Sequence, residues 1–446
     1  MPFLRALLIF LLPLYAFAQP YFPVPPVADA DRFMTRLPGT AYRLTNATSA
    51  QPREVRVLVY GQSISMQEWW QQVKRFLEKR YPEARLIMVN KAIGGFSSER
   101  LKLMVDNDVV SFYPDLILFH DYGNEEDYEF IIRTIRSRTT AEVAVQTDHI
   151  AVGQNEAWHD RHCAVWLPAL CDKYQLALID IRKAWKAYLA KNGLSASSLL
   201  KDNVHLNAHG NYLMAEIIAR YFETLTTGPV STDDGRVLTT GKDFVVRKDR
   251  LRLSLTGNRV DLVWNSSTGS ASVLVDGQKP SATLGCYYHT RPSRQPDGFF
   301  LTHIGQALTV RLAGQPQAED WTLTITAVDS VRQEVGFRVS GSKTGHDGEG
   351  SSDTQFTSRS GRIVIEPQYW FRRKSPGDFR QFAWLKPGDT LRWQVVSMCR
   401  DTVSAANEQT TTIVQGVANG GHVVELSGRA LSGLRAVSVY QPPLRE

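Results

Sequence analysis

Between Val55 and Phe222 the chain alternates two textures, and that alternation restricts the fold more than any other feature. Five short apolar runs, VRVLVY, ARLIMV, DLILF, AEVAVQ and LALIDI, carry little polar character on either face. Such runs are strands covered on both sides, as in a parallel sheet. Helical patterns separate them: Met66 to Arg80, Ser97 to Val110, Glu125 to Arg138, Trp158 to Tyr174, and Ala208 to Phe222. Strand and helix in strict alternation predict an α/β fold, a parallel sheet with helices on both faces. Ligands in such folds bind beyond the carboxyl ends of the strands.

Past TLTTGPVSTDDG the period changes to two. DFVVR, LRLSLTG, RVDLVW, ASVLVDG, LTVRL, WTLTITAV, GFRVSG, RIVIEP and LRWQVVS are short runs divided by Gly, Pro, Asp and Ser. They predict an all-β sandwich over residues 228–446, following an α/β domain over 55–227. A total of 446 residues suits two domains. Residues 19–54, rich in Pro and Ala, are expected to form a lead-in arm along the first domain.

The first 18 residues have the layout of a cleavable signal peptide: Arg5, an apolar stretch from Ala6 to Leu14, then small residues at Ala16 and Ala18. That stretch is too short to span a bilayer, which takes ~20 residues, so stable membrane insertion is not expected. The expected location is periplasmic or extracellular. A net charge of +6 without a dense basic run argues against a nucleic-acid partner. Oligomeric state is left open.

Export permits disulfides. Cys163 and Cys171 fall on one predicted helix, where their spacing gives about 12 Å, beyond the ~7 Å a disulfide spans. They are expected as buried thiols. Cys286 and Cys399 lie near strand ends of the same β domain, and a disulfide between them is expected, with two separately buried thiols as the alternative.

Chemistry-bearing residues gather at the strand ends. RVLVYGQSIS brings Ser63 just past a strand that ends on Gly61. NKAIGGFSS follows the second strand, and its Gly94-Gly95 pair can bring a backbone N–H close to a ligand. DLILFHDYGNEED places Asn124 past the third strand, and KDNVHLNAHGN sets Asp202 and His205 three apart before the last helix. That spacing lets a carboxylate take the imidazole Nδ1–H while Nε2 faces a serine.

In this order and on these elements the residues resemble the SGNH, or GDSL-type, hydrolases, over Val55 to Phe222. The resemblance implies a flavodoxin-like sheet with Ser63 as nucleophile, His205 as base and Asp202 as its orienting acid. It also implies an oxyanion hole from Ser63, Gly95 and Asn124. Gln62 stands where the family has aspartate, and Tyr122 where it has glycine, which implies a different loop with the Tyr122 ring lining the pocket.

Other residues read two ways. WHDRH, with His159 and His162, has a superficial metal-site look but lacks a third placed ligand, so no metal or cofactor is expected. His120 and Asp121 line the pocket or merely shape a loop, and His209 is a surface or supporting group. Trp69 and Trp70 read as core. Tyr287, Tyr288, Trp321, Tyr369, Trp370 and Phe371 are mostly core, although YYH and QYWFRR could expose a face for stacking on sugars.

The activity expected is that of a serine esterase removing small acyl groups, acetyl first, from a carbohydrate. A lipase or general carboxylesterase would share the triad but need a larger apolar acyl pocket. A glycan-binding protein with a spent catalytic domain would fit Gln62 and Tyr122, but need not keep five catalytic positions.

Overall fold

The computed structural model describes residues 22–27, 29–50, 52–226, 235–265, 268–294, 308–332, 334–371, 385–404 and 410–444. The expected signal peptide and the start of the β domain lie outside the described residues. The lead-in arm forms two short helices, α1 (Ala30–Thr35) and α2 (Pro38–Thr45). It packs on the α/β unit through Phe33, Leu37 and Leu44, all buried. The Glu142 carboxylate accepts from Gly39 N and Thr40 N, both at 2.7 Å, and so anchors the start of α2.

Five strands follow: β1 (Arg53–Gly61), β2 (Ala84–Asn90), β3 (Leu116–His120), β4 (Glu142–Gln146) and β5 (Ala177–Ile179). All are parallel, in the order β2-β1-β3-β4-β5. The period of two divides the apolar residues between the sheet's faces. Val55, Val57, Val59, Leu116 and Leu118 join one core, while Leu58, Tyr60, Ile117 and Phe119 join the other. Each strand therefore reads as a continuous apolar run.

The helices are α3 (Trp69–Arg80), α4 (Ser98–Leu101), α5 (Glu125–Arg138), α6 (Glu156–Arg161), α7 (Leu167–Tyr174), α8 (Ile181–Asn192) and α9 (Ala208–Glu223). Two differ from the sequence reading, and a third holds with a π turn inside it. The stretch from Ser97 to Val110 is broken, α4 ending after one turn and a π-helical turn covering Asp106–Val110. The stretch from Trp158 to Tyr174 is one helical run, α6 to α7, through a π turn at His162–Trp166. Helix α8 was not anticipated, because LALIDI was taken whole as a strand. The strand stops at Ile179, and Asp180 instead caps α8, its carboxylate accepting from Lys183 N at 3.0 Å.

The second half is antiparallel β, as expected. A six-stranded sheet centres on two long strands, Arg250–Trp264 and Thr410–Ser427, while a five-stranded and a three-stranded sheet share a second core. The strand Thr410–Ser427 was not anticipated, since its glycine-rich middle, bulged between Gln415 and Gly420, interrupts the alternation. DFVVR forms no strand: Asp243 closes a turn, its carboxylate accepting from Thr239 N at 2.8 Å, and Phe244 and Arg247 make isolated bridges only. Cys286 and Cys399 form the expected disulfide, with Cα atoms 5.4 Å apart, while Cys163 and Cys171 are buried thiols.

The two halves meet along a polar seam. Asn107 Nδ2 donates to His289 O at 2.9 Å and His289 N donates back to Asn107 Oδ1 at 3.0 Å. Tyr113 OH donates to Asn258 Oδ1, and Gln415 Nε2 donates to Val110 O.

Candidate active site

The sheet order reverses direction between β1 and β3, so the crevice beyond their carboxyl ends is the place for a site. Gly61 makes the crossing possible. It has φ +136°, and a Cβ there would lie 1.8 Å from His120 O, so a side chain would collide with the end of β3. The chain then turns tightly, Ser65 N donating to Gln62 O at 3.0 Å and Met66 N to Ser63 O at 3.2 Å. Ser63 is left partly exposed at the crevice.

His205 reaches the same place from the other end of the domain. Leu206 N donates to Gln67 Oε1 at 2.8 Å, and Trp69 N donates to the Asn211 side chain at 3.0 Å. These two links tie the nucleophile turn and α3 to the loop and helix that carry His205. His149 braces the loop from β4, its Nε2–H donating to Val204 O at 2.7 Å. Burial pushes His149 down to about 4, so the ring is neutral at physiological pH.

His205 Nε2 lies 3.1 Å from Ser63 Oγ, and His205 Nδ1 lies 2.9 Å from Asp202 Oδ2. Asp202 Oδ1 accepts from the N–H groups of His205 at 2.7 Å and Val204 at 2.8 Å. The His205 N–H above all lowers the Asp202 carboxyl to about 2, against the opposing effect of burial and with help from the Val204 N–H and the His205 ring. Asp202 is 51% exposed, so its charge is held by donors rather than by seclusion.

A second chain of contacts runs from Ser63 into the interior. Ser63 Oγ donates to Gln62 Oε1 at 2.8 Å, and Ile64 N donates to the same oxygen at 3.2 Å. Gln62 Nε2 faces His120 Nδ1 at 3.1 Å. His120 Nε2 lies 3.3 Å from Asp148 Oδ1, within ion-pair reach but off the axis of a good hydrogen bond. The other Asp148 oxygen meets His159 Nδ1 at 2.5 Å. Gln62, His120 and Asp148 are all buried, and the two imidazoles hold Asp148 far below the usual carboxylate range despite that burial. Sequence reasoning missed Asp148 and His149. Their signal was position, immediately past the carboxyl end of β4, where the same rule that selected Ser63 applies.

Gly94 and Gly95 form a turn after β2, Gly95 with φ +74°. A methyl built on Gly94 would sit 3.9 Å from Ser63 Cβ, so this turn runs beside Ser63. Asn124 is the N-cap of α5: its Oδ1 accepts from Glu126 N at 2.9 Å and Asp127 N at 3.2 Å. The amide oxygen is therefore committed to the helix, and Nδ2 is the donor that the side chain has left.

A cavity of about 370 Å³ is lined by Tyr122, His149, Trp158, His159 and Val204 among others; it reaches Val204, the residue before His205, while Ser63, Asp202 and His205 do not line it. Tyr122 lines it, as the sequence implied, and its hydroxyl meets the Gln62 side chain. His162 is buried between the rings of Trp158 and Trp166, stacked at 4.6 and 4.9 Å. His120 and Asp121 are buried behind the crevice, and burial, with Glu99 and Asp148 nearby, raises the Asp121 carboxyl well above its usual range. His209 is a supporting group, its Nε2 2.7 Å from Tyr188 OH. Trp69 is buried and donates to Ile64 O at 2.7 Å, and Trp70 packs against the same core. In the β half Trp321, Trp370 and Phe371 are buried, while Tyr287, Tyr288 and Tyr369 line a 520 Å³ cleft between the two halves.

The described residues form a flavodoxin-like α/β unit in which Ser63, His205 and Asp202 stand in hydrogen-bond reach of one another, joined to an antiparallel β half. No family model matches the chain, and no curated protein does. Among solved structures it is similar to a two-domain esterase (CEX) active on acetylated mannans, co-crystallised with mannopentaose. That match has 12% identity and TM-score 0.39, over 95% of this chain and 100% of the other. It is also similar to Axe2, an acetylxylan esterase from Geobacillus stearothermophilus, at 18% identity and TM-score 0.34 over 39% of this chain and 96% of the other. An acetyl xylan esterase, AlAXEase, matches at 22% identity and TM-score 0.33 over 37% of this chain and 98% of the other. Likenesses at that level carry no inference about chemistry, which rests on this chain's own side chains.

Proposed function

We propose that the protein is an exported serine esterase that removes small acyl groups, acetyl first, from a carbohydrate. The observation that carries this is the unbroken line from Ser63 Oγ through His205 to Asp202, at 3.1 and 2.9 Å. Ser63 attacks the ester carbonyl while His205 Nε2 takes its proton. Asp202 keeps the imidazole in the tautomer with hydrogen on Nδ1 and stabilises the imidazolium that forms. The tetrahedral oxyanion is met by the N–H groups of Ser63 and Gly95 and by Asn124 Nδ2. His205 then gives its proton to the leaving alcohol, and water repeats the sequence to free the acid.

A sugar suits the cavity that reaches Val204, the neighbour of His205, where Tyr122 and Trp158 offer rings and His159 a polar edge. Export is supported by the Cys286–Cys399 disulfide, which needs an oxidising compartment to persist. The test compares p-nitrophenyl acetate, p-nitrophenyl octanoate and an acetylated xylo- or manno-oligosaccharide, with Ser63→Ala as control. Acetate and the oligosaccharide should be hydrolysed and octanoate poorly, with a loss of ~10⁴ or more in kcat in the variant. Preference for octanoate would make it a lipase or general carboxylesterase. A tenth of the activity surviving in Ser63→Ala would remove the serine mechanism.

A further inference from the structure

The turn that carries Gly94 and Gly95 has no side chain of its own to hold it beside Ser63, so neighbours must. On the α/β side, Ile93 N donates to Gly61 O at 2.9 Å, and Asn90 Nδ2 donates to Ser65 O at 2.7 Å. These fix the entry to the turn. Its outer flank is held from the β half. Arg291 Nη2 donates to Lys91 O at 2.5 Å and forks onto the Asp108 carboxylate, Nη2 at 2.6 Å and Nε at 3.3 Å. Phe371 is 2% exposed, belongs to the α/β core and meets the Phe96 ring at a centroid distance of 4.6 Å. Lys91 and Phe96 bracket the glycine pair.

We propose that Arg291 and Phe371 are positioning residues for the oxyanion hole, so that the β half completes the catalytic site rather than merely accompanying it. The inference rests on the esterase reading, with Gly95 as an oxyanion donor. Its force is geometric: an oxyanion donor works at 2.7–3.1 Å from the developing charge. A misplacement of ~1 Å in such a group costs about 10²-fold in rate. Arg291 and Phe371 hold the flank of the turn that the contacts to Gly61 and Ser65 leave uncovered. Arg291 is suited to the task because its planar fork reaches a carboxylate and a carbonyl together in a fixed geometry, which the rotating point charge of a lysine does not impose.

The test uses the full-length protein with Arg291→Lys and Phe371→Leu, which keep a cation for Asp108 and an apolar group in the core. Asn107→Ala is the control, since it breaks the seam at His289 without touching the turn. With p-nitrophenyl acetate, each positioning variant should lose about 10–100-fold in kcat with KM within about threefold. The Ki of phenylboronic acid, which takes tetrahedral geometry on the serine, should rise by the same factor, while Asn107→Ala keeps kcat and Ki. Unchanged kcat in both positioning variants would overturn the proposal. So would an equal loss in Asn107→Ala, which would mean general loosening of the seam. A wild-type protein without esterase activity would remove the esterase reading itself, a result distinct from an active wild type with unaffected variants.

Discussion

Gln62 Oε1 lies 2.8 Å from Ser63 Oγ, nearer than His205 Nε2 at 3.1 Å on the same oxygen. One hydroxyl hydrogen serves one acceptor at a time, so the Ser63 proton is shared between an amide that cannot remove it and an imidazole that can. The orientation of that amide is set from behind. Ile64 N–H requires the oxygen on its side, and His120 Nδ1 receives the NH2 group. His120 is in turn held beside Asp148. An aspartate at this position would set a negative charge beside the serine, whereas Gln62 gives the same hydrogen-bond shape without it.

Gln62→Ala should therefore act on stability at least as visibly as on rate. It leaves the Ile64 N–H and the His120 Nδ1 without their partner at a buried position, which costs about 1–3 kcal/mol for an unsatisfied group. Urea unfolding should show a lower midpoint at unchanged slope. An unmoved midpoint would mean that water replaces the amide.

The pH profile follows from Asp202. A carboxyl lowered to about 2 stays ionised at every pH where the fold is used, so it adds no limb of its own to the rate. What acid removes is the neutral imidazole that accepts the serine proton. The value of kcat/KM should fall on the acid side with the slope of a single ionisation and level off at higher pH. A second limb in the ordinary carboxylate range would contradict the donors seen on Asp202. Asp202→Asn should lower kcat by ~10⁴, because the amide favours the wrong imidazole tautomer.

Much of this was legible in the sequence because it depended on short-range chemistry. A two-sided apolar run ending on Gly61 places Ser63, and a D-x-x-H spacing joins Asp202 to His205 on one loop. Disulfide pairing was legible from two cysteines at strand ends. The Gln62–His120–Asp148–His159 chain was not, because its members come from four separate segments and only the sheet order brings them together. Helix α8 was lost for a local reason: Asp180 serves as a cap, but in sequence it stands inside an apolar run. Arg291 and Phe371 were illegible for a longer-range one. Nothing near either residue announces that its side chain will cross to the other half of the molecule.

The disulfide gives a separate test of the β half. Cys286 and Cys399 are 113 residues apart, and loop entropy for such a closure is worth up to ~4–5 kcal/mol. Reduction, or Cys286→Ser with Cys399→Ser, should lower the unfolding temperature, with the β half melting first. Denatured, unreduced protein should titrate two thiols, Cys163 and Cys171, and four after reduction. Four without reduction would mean that the pair stays open in solution.

Asn124 holds two roles that mutation can separate. As N-cap of α5 its Oδ1 accepts from Glu126 N and Asp127 N, and loss of such a cap costs about 1 kcal/mol. As oxyanion donor its Nδ2 would be worth ~10²–10³ in kcat. Asn124→Ala removes both, so it should be destabilised and slow. Asn124→Asp keeps a good cap and puts an anion where a donor is needed, so its stability should match the wild type while kcat falls at least as far as in the alanine variant. Asn124→Ser tests the cap alone from the other direction: the hydroxyl accepts from the helix but cannot reach as far as an amide, so stability should return and rate should not. Chemical denaturation and p-nitrophenyl acetate kinetics on the three variants give both readouts. If Asn124→Asp were as fast as the wild type, the side chain would be a cap and nothing more, and the oxyanion would be left to the backbone N–H groups of Ser63 and Gly95.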